Sequence, residues 1–127
     1  MRGPLAPPQV PISLTRAEVF DDFVRDSVDR LERRWPQLGD VEFAVQEVPT
    51  AGQGETAVEP GDTVPLGRLL PAEKDRKSRI VVFRRPVEIR AKGRDERATL
   101  VHDIVVEQVA ELLGLSPDTV DPHYGEG

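Results

Sequence analysis

One short run of the chain gathers side chains able to hold a cation or handle a proton: Glu107, Gln108 and Glu111, spaced Glu-Gln-x-x-Glu. On a helix, positions i and i+4 share a face, so the two carboxylates converge. Such a pair suits a hard cation, calcium or magnesium, which prefers oxygen donors. Two carboxylates alone make a poor cage, and Asp118 or water has to complete it. Gln108 stands between them, and an amide is no base near neutral pH, so it cannot take a proton from water. The plainer reading is two glutamates on a solvated face. A second grouping, His102-Asp103, lies just upstream. Zinc hydrolysis on a helix uses two histidines four residues apart with a glutamate base between them. In a frame starting at His102, Val106 occupies the place of the second histidine. His102 therefore reads as a surface or packed residue, and catalytic residues are none in either frame.

These residues need a helix to position them, and the sequence provides one over 95–115. Leu100, Ile104 and Ala110 fall near one line, and Val101, Val105, Val109, Leu112 and Leu113 widen it. That face is broader than the roughly 100° stripe of a surface helix, which predicts a central helix with neighbours on more than one side. Asp95, Gly93 or Lys92 can hold its N-cap, and Gly114 is placed as the C′ residue.

Upstream, residues 1–13 are proline-dense and predict a disordered arm. Thr15 and Glu18 form a capping box, with Leu14 as a staple residue. Phe20, Phe23, Val24, Ser27, Val28, Leu31 and Trp35 then repeat at helical spacing until Pro36. Trp35 reads as a core-edge residue. Val41, Phe43 and Val45 alternate with polar neighbours in a half-buried strand. Residues 49–63 predict a long loop, and its glycines, Gly52, Gly54 and Gly61, match no phosphate-binding loop. Residues 64–70 fit either a short strand or an irregular wall. Arg79 to Arg85 is the strongest strand signal, its apolar run Ile80, Val81, Val82, Phe83 suiting a strand covered on both faces. Arg84 and Arg85 read as surface ion pairs at the end of that strand, which Pro86 stops. Residues 87–91 allow one helical turn. Ser116 and Pro117 start a short last helix. His123 and Tyr124 lie in a tail, 122–127, and contribute to a site only if it folds back.

The 127 residues predict one domain, 14–121, of α+β class: two main helices packed on a small mixed sheet, with a short C-terminal helix. The net charge of −6 argues against nucleic acid or an anionic membrane as partner. There is no cysteine, so thiolate metal sites and disulfides are excluded. Neither a secretory signal nor a spanning run is apparent, and the expected location is cytoplasmic.

The flanks of the Glu107 frame resemble the small zincin-like metallopeptidases of bacteria. In these one-domain proteins a helix carries His-Glu-x-x-His, preceded by apolar residues and followed by an apolar residue, glycine and an aliphatic. Here Val105-Val106 precede the frame and Leu113-Gly114-Leu115 follow it. The capped first helix with Phe20 and Val24, the Val64-Pro65-Leu66 segment and the strand running Ile80 to Glu88 fit the same pattern, over about 14–121. The resemblance implies a zincin-like fold and zinc in active members. It places Glu107 and Glu111 at the two metal-histidine positions, Gln108 at the general-base position and Leu112 at the next histidine. An acidic third ligand falls near Pro117 or Asp118. The motif is thus degenerate, and no zinc or other cofactor is expected. The expected function is that of a pseudoenzyme with a protein-binding or regulatory role, taking a peptide by strand addition beside 79–85. The alternatives are a hydrolase using a carboxylate-bound divalent metal, and a small domain that forms a homodimer through its apolar helix faces.

Overall fold

The computed structural model describes residues 15–48 and 65–125. The expected arm, Leu14 and the 49–63 loop with its glycines lie outside the described residues. The first helix, α1 (Arg16–Arg34), opens with the expected capping box. The Thr15 N–H donates to Glu18 at 2.9 Å, and the Glu18 N–H donates back to Thr15 Oγ1 at 3.1 Å. Its buried line is Phe20, Val24, Ser27 and Leu31. Pro36 ends it, and a 3-10 turn over Pro36–Asp40 buries Leu38.

Three strands are present among the described residues: β1 (Glu42–Gln46), β2 (Gly67–Leu70) and β3 (Arg79–Phe83), in the order β1-β3-β2. β1 runs parallel to β3 with Ala44 opposite Val81, and β2 runs antiparallel with Leu69 opposite Ile80. The sheet is therefore mixed, and its central strand is the most apolar one. Ile80, Val81, Val82 and Phe83 are all fully buried. Ile80 and Val82 join the main core with the helices, while Val81 and Phe83 pack with Leu70 and Ala44 in a second cluster.

The expectation of two main helices is corrected to three. β3 stops at Phe83 rather than at Arg85, and α2 (Arg84–Arg90) starts at once. Pro86 lies beyond the strand ladder and does not block this helix. It sits in the first turn, where a backbone N–H has no intrahelical acceptor in any case. Arg84 and Arg85 accordingly begin a helix instead of finishing a strand. Next comes α3 (Arg94–Leu113), capped by Gly93. The Gly93 N–H donates to Glu96 at 3.0 Å, and glycine has no side chain to return the bond. Val101, Ile104, Val105, Val106, Val109 and Ala110 are buried on α3, against α1, the sheet and α2. Gly114 ends it with φ 71°, where a Cβ is disfavoured. The last helix, α4 (Pro117–Val120), has Ser116 at its N-cap and Val120 turned into the core. No helix among the described residues is long and apolar enough to cross a membrane.

Candidate functional site

The turn bearing Glu107, Gln108 and Glu111 lies in the last half of α3. Glu107 and Glu111 are exposed, whereas Gln108 is half-buried. Gln108 is held against β2 by a close approach of strand to helix. A Cβ built on Gly67 would stand 2.6 Å from Ile104 Cγ2, 3.1 Å from the Val81 carbonyl and 3.7 Å from Gln108 Cγ. Glycine at 67 lets the strand lie directly on the helix. The middle residue of the turn therefore faces an edge strand of the sheet, and the two glutamates flank it toward solvent.

That placement corrects one expectation. A peptide cannot add beside 79–85, because β3 is central and both its edges carry ladder bonds to neighbours. Among the described residues the sheet edges are β1 and β2, and β2 is the one beside the turn.

Glu107 has a partner that the sequence did not announce. Residues 122–125 turn back on α3, and the Tyr124 hydroxyl donates a short hydrogen bond to the Glu107 carboxylate. The bond to Glu107, burial of the ring, and the negative charges of Glu107 and Asp103 push the Tyr124 phenol up to about 12. Asp118 is exposed on α4. Among the described residues no three His, Cys, Asp or Glu side chains gather as a metal-holding group, and Glu107, Glu111 and Asp118 form no such set.

His102 belongs to a different assembly. Its Nδ1 lies 3.0 Å from Ser27 Oγ on α1, and its Nε2 lies 2.5 Å from Asp121 Oδ2 just after α4. Both ring nitrogens are thereby engaged. Val106, the would-be second position of the His102 frame, is fully buried, so that frame presents its other end to the core. Asp121 is buried and also accepts from the His123 N–H at 2.9 Å. Burial pushes its carboxyl up. The bonds from His102 and His123, with the charges of His102 and Arg30, outweigh that and hold it below the usual carboxylate value.

The remaining polar candidates are structural. The Trp35 indole N–H donates to the Val120 carbonyl at 3.0 Å, joining the end of α1 to α4. Arg84 pairs with Glu47 and, at 3.1 Å, with Glu88, while Arg85 reaches Glu47 at 3.4 Å. The hydrogen bond to Arg84 is the main reason the Glu47 carboxyl lies below its ordinary range. Sequence spacing had no means of finding the links to Tyr124, Ser27 and Asp121. Their partners are 17, 75 and 19 residues apart.

The stretch of chain that builds this sheet and the helices laid on it matches a known family. The profile of the zincin-like metallopeptidases matches residues 38–126, more than half of the chain and all of the elements from β1 to α4. The chain belongs to that family. A search among curated proteins finds no significant match.

Proposed function

We propose that this chain is a zincin-like family member without peptidase chemistry, keeping the scaffold as a protein-binding or regulatory module. The observation that carries the reading is the identity of the α3 turn. If Glu107 and Glu111 stand at the metal-ligand positions and Gln108 at the base position, the mechanism lacks both its imidazoles and its proton acceptor. A neutral amide can hold a water by hydrogen bonds but cannot deprotonate it.

The residues present also fit zinc poorly. The turn offers exposed carboxylates, one of them already bonded to Tyr124, and no third donor gathers with them among the described residues. Both His102 nitrogens are engaged elsewhere. The binding half of the proposal is supported by β2, an edge strand running beside Gln108. A helix-backed strand edge is a surface that extended peptides recognise.

The test is a peptidase assay on unfolded-protein and short-peptide substrates with stoichiometric zinc, manganese or calcium. The expected outcome is no metal-dependent cleavage. Cleavage by the wild-type chain that disappears on chelation and in Glu111→Ala would contradict the reading.

A further inference from the structure

The opposite edge of the sheet, far in sheet order from the α3 turn, has its own chemistry. The Glu42 N–H donates to the Ser78 carbonyl at 2.9 Å, so Glu42, Ala44 and Gln46 direct their backbone groups to β3. Backbone groups alternate along a strand. Phe43 and Val45 therefore direct theirs outward, and among the described residues neither finds a backbone partner on that side. Beside this edge runs a groove of about 400 Å³, lined by Val24, Val28, Phe43 and Val45, with Asp21 and Arg25 also on its walls. Phe43 and Val45 are only half-buried.

We propose that β1 is a self-pairing edge through which two copies of this chain join, β1 antiparallel to β1 about a two-fold axis at Ala44. The five residues Glu-Phe-Ala-Val-Gln complement themselves in that register. Phe43 stands opposite the partner's Val45, and each exchanges N–H and C=O with the other. All the outward groups of both strands are then satisfied. An aromatic residue faces a β-branched one, a favourable cross-strand pair. The two Ala44 residues meet at the non-hydrogen-bonded position, where strands approach most closely, and alanine leaves room there. Glu42 faces the partner's Gln46, so no acid opposes an acid. The groove brings Val24 and Val28 of each copy to the same seam, and the charges on its walls are of both signs. The product is one continuous sheet of twice the width, with each β2 left at an outer edge. This pairing uses the strand edge, not the apolar helix faces, which the core already covers.

The experiment uses the full chain at physiological ionic strength. Sedimentation equilibrium over a concentration series is combined with amide exchange at Phe43 and Val45, and with the variants Gln46→Glu and Gln46→Lys. The expected result is a mass that rises to twice the monomer's, with both amides gaining protection as concentration increases. Gln46→Glu sets two acid pairs face to face and weakens association about three- to tenfold. Gln46→Lys makes two opposite-charge pairs and tightens it by a similar factor. The proposal is overturned by a monomer at every concentration, by exchange at the two amides that ignores concentration, or by variants that fail to move the dissociation constant in opposite directions. Peptidase activity plays no part in these readouts, so the result stands apart from the reading of the α3 turn.

Discussion

Gln108 carries the functional argument at the level of a single side chain, and Tyr124 carries the clearest electrostatic one. The neutral phenol is the form that donates to Glu107, and its pKa is pushed up to about 12. A group whose proton is held more tightly in the fold stabilises it fully below its ordinary pKa of 10. That contribution is lost as pH rises through about 12. Tyr124 is the sole tyrosine, so phenolate absorbance reports it alone. In Glu107→Gln the titration is expected to fall back toward the ordinary value, because the charge that opposes ionisation is gone. An unchanged midpoint would break the assigned link. His102 reads from the sequence as a surface or packed residue, and its partners are invisible there. No local rule pairs a helix histidine with a serine and an aspartate on other elements.

Legibility among the elements followed how local their causes are. The α1 capping box and the Gly114 stop depend on a few neighbouring residues, and both are seen. The central strand showed itself as an apolar run, since burial on both faces requires one. β2 was ambiguous because Gly67-Arg-Leu-Leu has little strand propensity of its own. It is a strand because Gly67 lets it close on α3 and β3 supplies the ladder. α2 is longer than the single turn expected at 87–91, because Pro86, expected only as the end of the strand, lies inside the helix. In the first turn of a helix it is tolerated. A prediction tests the strand–helix contact. Gly67→Ala places a methyl within 2.6 Å of Ile104 Cγ2 and 3.1 Å of the Val81 carbonyl, and the latter is backbone that cannot swing away. The variant is expected to lose about 1–3 kcal/mol of stability by urea unfolding. A wild-type midpoint would show that the approach is looser than described.

For the molecule as a whole, the C-terminal segment completes the fold instead of trailing from it. Trp35 holds the Val120 carbonyl, His102 holds Asp121, and Glu107 holds Tyr124, so α1 and α3 fasten the last turn at three points. The sequence suggested a tail beyond Asp121 because its composition is polar and glycine-rich, and the fastening depends on residues far away in the chain. Asp121 makes this closure acid-sensitive. Its carboxyl is held below the usual range, so its contribution is present above the ordinary carboxylate pKa and is lost as pH falls through the depressed one. Urea midpoints measured down an acid series are expected to fall less steeply in Asp121→Asn than in the wild type. Identical slopes would assign the acid sensitivity elsewhere.

The family match places the chain among zincin-like metallopeptidases, and the central claim is that its α3 turn has left their zinc chemistry. Native mass spectrometry of the zinc-loaded chain, before and after a chelator, tests this most directly, with Glu107→His/Gln108→Glu/Glu111→His measured alongside. The account predicts a wild-type chain that emerges metal-free after brief chelation. One zinc retained per chain by the wild type, and lost in Glu111→Ala, would contradict it.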